Sequence, residues 1–216
     1  MKTGASLIPK AFKTKGKLIW PGIVLQFLVI QICAQTQPLK KNEGSKINWV
    51  KNMRSLKGMK GDPSLEKYND SSWKTMPVPS YDGWEAVGFL GLDGAVWFRR
   101  YFNLPVDWFY KNLVLDLGRV RDHDFTYVNG HLVGSMESTE NRKYTIPAKY
   151  LKPGLNSIAI QVLNYFGKGG LAGYRDTTNT INVYPAGVNE FGRVSLKGNW
   201  KYFIQNDKPP AQVSVH

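Results

Sequence analysis

An all-β sandwich is the fold class this sequence predicts, and three observations predict it. From Trp97 onward apolar residues alternate with polar ones, as in Ser157-Ile158-Ala159-Ile160-Gln161-Val162-Leu163, a period of two rather than 3.6. The candidate strands are short, rich in β-branched and aromatic residues, and spaced about 8–12 residues apart with turn signals between them. Asn129-Gly130 separates Thr126-Tyr127-Val128 from Leu132-Val133. A type I′ hairpin needs φ > 0 at both central residues, which Asn-Gly tolerates best.

At the N-terminus, Lys2, Lys10, Lys13, Lys15 and Lys17 precede an apolar run from Leu18 to Ala34, and no acidic residue occurs before Glu43. A basic stretch, an apolar stretch and a small final residue describe a secretory signal peptide. Residues 1–34 are therefore expected to be removed after Ala34, giving a secreted or periplasmic protein. The alternative is a retained anchor, and the membrane enters only through this segment. The run is short against the roughly 20 apolar residues that a spanning helix needs, and Pro21, Gln26 and Gln31 interrupt it. Residues 35–62 read as a partly disordered leader, in which Trp49, Val50, Met53 and Leu56 fall at nearly helical spacing.

Residues 63–206 carry the sandwich, with a tail at 207–216. Asp70-Ser71-Ser72-Trp73 reads as a capped turn. Pro77 and Pro79 suit a sheet edge or a connection, because proline cannot donate to a ladder. Strands are expected at 95–103, 112–118, 124–128, 131–135, 142–146, 157–163, 180–184 and 200–204, with one helical turn at Pro147–Leu151. Ile158, Ile160 and Val162 need a buried face, which Trp97, Phe102, Leu115, Leu117, Tyr127 and Val133 are expected to join. Trp73 is assigned to the core as well.

The 216 residues carry a net charge of +13. Without the five signal lysines, 24 basic residues stand against 16 acidic ones, or +8, with no run of five or six like charges. That argues against a nucleic-acid patch. Cys33, the single cysteine, lies inside the signal, so the mature chain has neither disulfide nor thiol chemistry.

One set of residues carries a family resemblance: Trp97-Phe98-Arg99, Leu104-Pro105, Leu115-Asp116-Leu117-Gly118, Asp122-His123-Asp124, Tyr127-Val128-Asn129-Gly130 and Val133-Gly134. Arg142–Pro147, Leu151–Asn156 and Gly167–Leu171 continue it. In this order they resemble the galactose-binding-like jelly roll within sialate O-acetylesterases, and the related sugar-binding domain of family 2 glycosidases such as β-galactosidase. The resemblance implies a galactose-binding-like jelly-roll β-sandwich that serves carbohydrate metabolism and associates with carbohydrate. The esterases resemble SGNH hydrolases with a Gly-Gln-Ser-Asn nucleophile motif and a distant Asp-x-x-His pair, and neither motif occurs here. Family 2 glycosidases take their catalytic glutamates from a barrel that this chain is too short to contain. The expectation is an accessory module with no catalysis and no cofactor of its own, whose SGNH-type catalytic partner is separately encoded or lost. The alternatives are a fragment of an acetylesterase and a purely structural interaction domain.

Sugar platforms need aromatic faces with polar groups beside them. The candidates are Trp84, Trp108, Tyr110, Tyr165, Phe166 and Tyr174, with Asn164, Arg175 and Asp176 as polar partners. Tyr165–Gly170 reads as a mobile, glycine-rich display loop. It lacks the following Lys-Ser/Thr of a phosphate cradle. The competing reading for each aromatic is core or interface packing. Asp122 and Asp124, two residues apart, suit bonds to local backbone amides; calcium ligation or an acid–base pair is the weaker reading. A Ser135–His131–Asp124 triad is conceivable, though nothing marks Ser135 as a strained elbow.

Overall fold

The computed structural model describes residues 48–176, 178–187 and 192–207. The expected signal peptide, the leader up to residue 47 and the tail from 208 lie outside the described residues.

The described residues form eleven strands: β1 (Lys74–Val78), β2 (Gly94–Leu104), β3 (Leu113–Arg121), β4 (His123–Val128), β5 (His131–Glu137), β6 (Asn141–Ile146), β7 (Gly154–Asn164), β8 (Gly170–Gly173), β9 (Asn182–Pro185), β10 (Val194–Ser195) and β11 (Gly198–Asn206). They form two antiparallel sheets. One has the order β1-β11-β2-β7-β4-β5; the other has the order β10-β9-β3-β6, with β8 also on β3. The protein is an all-β sandwich. Pro77 lies in β1 at the sheet edge, where its missing N–H costs no ladder bond. Asn129 and Gly130 have φ of 48° and 86°, the left-handed pair that the hairpin between β4 and β5 requires. The helical turn expected at Pro147–Leu151 is a 3-10 turn at Ala148–Tyr150.

The core between the sheets holds Val96, Phe98 and Phe102 of β2, Leu113, Leu115 and Leu117 of β3, and Ile158, Ile160 and Val162 of β7. Trp97 and Tyr127, expected in that core, point the other way. Strand alternation sends Ala95, Trp97 and Arg99 to the outer face of the six-stranded sheet, where residues 48–73 cover them. Trp97 packs with Trp73, Ala159, Leu56, Met59 and Tyr68. Ala95, Phe125 and Leu163 pack with Trp49, Val50 and Met53 of a helical stretch at 48–54. Residues 48–62, read from sequence as leader, are thus part of the fold.

Arg99 fastens this covering segment. Its guanidinium is fully buried and donates to Asp70 Oδ2 at 2.9 Å, to the carbonyls of Pro63, Leu65 and Glu66, and to the Tyr101 hydroxyl. Lys201 Nζ donates to Asp70 Oδ1 at 2.7 Å. Burial alone would raise the Asp70 pKa, but hydrogen bonds from Lys201, Arg99 and Tyr101 outweigh it and hold the carboxyl below its ordinary 3.8.

A second close fit positions the loop after β7. The backbone at Gly169 passes so near the Trp84 indole that a Cβ there would lie 2.1 Å from its ring, and the Trp84 amide donates to the Gly169 carbonyl. Close approach, rather than mobility, accounts for a glycine at this position.

These contacts lead to three stability predictions. Arg99→Ala removes the buried guanidinium shared by Asp70 and the carbonyls of Pro63, Leu65 and Glu66, and should cost about 3–5 kcal/mol in denaturant unfolding. Because folding depresses the Asp70 pKa, its contribution is present above pH 3.8 and is lost as pH falls below that value. Asp70→Asn should therefore flatten the stability loss between about pH 4 and pH 2. Gly169→Ala should cost about 1–3 kcal/mol by overpacking on Trp84, which thermal unfolding would register.

Candidate functional site

The loops gather at two ends of the sandwich. At the first end, Asn164 closes β7 with its amide nitrogen directed to Asp122 Oδ2 and to the carbonyls of Phe166 and Lys168. Asp122 Oδ2 also accepts the Tyr165 backbone N–H at 2.9 Å. Glu85 accepts the Gly169 amide, and Lys168 pairs with Asp82 at 2.8 Å. These bonds tie the loop 165–169 to the segment 80–85 and leave Phe166 76% exposed at the tip.

The sequence-predicted aromatics do not share one platform. Trp84 and Trp108 are core residues, 1% and 2% exposed, so neither offers a ring face to a ligand. Gly169 and Gly170 lie against Trp84, and Trp108, at the end of the 3-10 turn Val106–Trp108, packs into the main core. Tyr165 turns back onto the outer face of the six-stranded sheet, edge-on to Trp49 at 4.8 Å. Tyr174 lies along the other sheet and donates its hydroxyl to Asp116, with Arg175 exposed beside it. Phe166 alone among the six remains at the loop tip.

The two aspartates also separate. Asp124 is fully buried, accepts Arg142 Nε at 2.9 Å, and is further bonded by Tyr144 and Thr126. Its main partner is the Arg142 guanidinium rather than a local backbone amide or a metal ion, while Asp122 organises the loop after β7. Among the described residues no three His, Cys, Asp or Glu side chains are grouped to hold a metal.

At the opposite end, Leu104, Phe109, Tyr110, Ala148, Lys149, Leu151, Lys152 and Pro153 line an open depression of about 490 Å³. Tyr110 is 96% exposed and has φ 64°. A bulky residue in the left-handed region is an outlier that costs about 1–3 kcal/mol and tends to occur at functional sites. Phe109 meets it edge-on, with ring centroids 6.4 Å apart. Lys152 is paired with Glu66, and Lys149 Nζ sits 5.2 Å from the Tyr150 ring.

Ser135 has a histidine partner, but a different one from the sequence expectation. His131 stacks on Tyr150 at 4.1 Å, near the second end. Ser135 Oγ instead lies 3.0 Å from His123 Nε2. A bulge between Thr126 and Tyr127 shifts the β4–β5 register, so that Phe125 faces Ser135 and His123 faces Glu137. Without that shift the hairpin would set Ser135 opposite Asp124, on the other face.

No protein-family model matches the sequence, and no curated protein matches it. Solved structures overlap part of the chain. A β-glucuronidase from an uncultured Clostridium sp. is 26% identical over 42% of this chain and 16% of its own, with a TM-score of 0.36. The Ruminococcus gnavus β-glucuronidase is 28% identical over 41% and 16%, with a TM-score of 0.36. A β-glycosidase from Bacteroides vulgatus is 26% identical over 53% and 17%, with a TM-score of 0.40. The chain thus spans about a sixth of the length of the proteins it overlaps.

Proposed function

We propose that this chain is an exported, carbohydrate-associated β-sandwich module of the kind built into carbohydrate esterases and glycosidases, and that it contacts glycan through the depression beside Tyr110. The observation that carries this reading is the Tyr110 ring, held in a left-handed backbone conformation and almost wholly exposed above an apolar hollow. The hollow's volume lies within the roughly 300–1,000 Å³ usual for small-ligand clefts. A sugar ring presents an axial C–H face that suits a tyrosine, and its hydroxyls suit nearby ammonium groups and open backbone carbonyls. Phe109 and Leu151 supply the apolar floor, and Lys149 stands exposed at the rim. In this reading the sandwich delivers a sugar to a catalytic partner outside the chain. The side chains lining the hollow are suited to holding a sugar rather than to breaking a glycosidic bond.

Calorimetric titration with galactosides, uronides and sialosides tests the assignment. At least one class should bind, and Tyr110→Ala should weaken it by about tenfold or more, equivalent to about 1.4 kcal/mol. Phe166→Ala, at the other end, should leave that affinity unchanged. Absence of binding by every glycan, or equal affinity in Tyr110→Ala, would contradict the reading.

A further inference from the structure

On the outer face of the six-stranded sheet, four side chains form a hydrogen-bonded line. Tyr165 hydroxyl bonds to the Glu137 carboxylate and lies 3.1 Å from His123 Nδ1. Glu137 Oε2 is itself 3.9 Å from Nδ1. His123 Nε2 lies 3.0 Å from Ser135 Oγ. The direction of each bond follows from the first. A carboxylate only accepts, so the phenol donates to Glu137, and the phenol oxygen is left to accept from Nδ1–H. Nε2 then carries a lone pair, which accepts the Ser135 hydroxyl proton. This is the arrangement that activates a serine: a base within reach of the hydroxyl and a third group orienting the base.

We propose that Ser135 is a nucleophile toward acyl donors, with His123 as its general base and Tyr165 and Glu137 as positioning residues that fix the imidazole's tautomer. The surroundings suit the task. Ser135 is exposed, whereas the His123 side chain is only 14% accessible and packs at 4.5 Å against the Phe125 ring. Burial pushes the His123 pKa below its ordinary 6.5, opposed by the charges of Glu137 and Asp124 and aided by those of Arg142 and Arg54. The imidazole is therefore the neutral base at neutral pH. Tyr165 is pushed well above the usual phenol value, first by burial and then by Glu137, and stays a donor. Arg54 lies 3.7 Å over the Phe125 ring and brings a guanidinium to the same face. β5 is the edge of its sheet, so backbone N–H groups on its outer side are not taken up by strand pairing. Both features favour negative charge developing on a carbonyl oxygen.

In the reaction, Ser135 Oγ bonds to the acyl carbon while its proton passes to His123 Nε2. The bond from that carbon to the leaving oxygen breaks, and Nε2 returns the proton to that oxygen. An alcohol leaves and an acyl-serine remains, which water cleaves by the same sequence in reverse. Esters with a small acyl group fit an exposed strand surface without a deep pocket.

A fluorophosphonate probe tests this on the purified full chain, with the adduct located by peptide mass. Ser135 should be labelled with loss of fluoride, at a rate rising with pH through an inflection below 6.5. Ser135→Ala should lose the adduct, and His123→Gln should slow labelling by about 10²–10⁴-fold, the usual contribution of a general base. Tyr165→Phe keeps the ring packing and should move the inflection. Circular dichroism should show each variant folded. No adduct on the folded wild type, an adduct that survives Ser135→Ala, or equal rates in wild type and His123→Gln would overturn the proposal.

Discussion

A buried guanidinium organises the outer half of this molecule. Arg99 sits on a central strand, so alternation sends its side chain away from the sandwich core and into what would otherwise be water. Residues 62–73 fold over it, and three of their carbonyls and the Asp70 carboxylate take its donors. An unpaired buried charge would cost several kcal/mol, so the segment and the arginine are obligatory partners. Once they are joined, Trp97, Trp73 and Tyr68 have a closed cluster, and the central strands of the six-stranded sheet are buried on both faces. The second buried pair, Arg142 with Asp124, plays a similar part between the sheets, where it also gathers the carbonyls of Asp122, Met136, Ser138 and Glu140.

This layering sets where chemistry can sit. The covering segment reaches β4 through Met53 and Arg54 and leaves Ser135 of β5 exposed, and it is at this border that His123, Ser135, Tyr165 and Glu137 meet, with Trp49 beside them. The end with Phe166 is held tightly by Asn164, Asp122 and the Trp84–Gly169 contact, which leaves little room for a ligand. The opposite end is looser and keeps the hollow under Tyr110. Binding and nucleophilic chemistry, as proposed, therefore occupy different faces of one scaffold.

Much of the fold was legible because period-two patterning and turn chemistry are local. The eight expected strands all occur, and the Asn129-Gly130 turn has the expected dihedral signs. β8 escaped notice because Gly-Leu-Ala-Gly has no β-branched or aromatic residue, and β10 because it is two residues long. The double burial of the central strands was not legible: Trp49, Val50, Met53 and Leu56 stood at nearly helical spacing, but nothing told which surface they would cover, and an arginine in a strand reads as exposed. The site was read least well. Trp84 and Trp108 look like platforms in sequence because aromatic type says nothing about which side of a turn is covered. The histidine partner of Ser135 was missed because one bulged residue decides which of two faces the serine occupies, and no local signal announces that bulge.

The central claim is that Arg99 clamps residues 62–73 over the outer face of the six-stranded sheet. Hydrogen exchange at the amides of Leu65, Tyr68 and Trp73, each bonded to a carbonyl within the segment, tests it most directly. If the Arg99 cluster holds the cover in place, these amides should exchange as slowly as those of β2 and β7, through global unfolding only. Exchange many-fold faster than β7, at a rate unchanged by Arg99→Ala, would show a segment that lifts off by itself and would contradict the account.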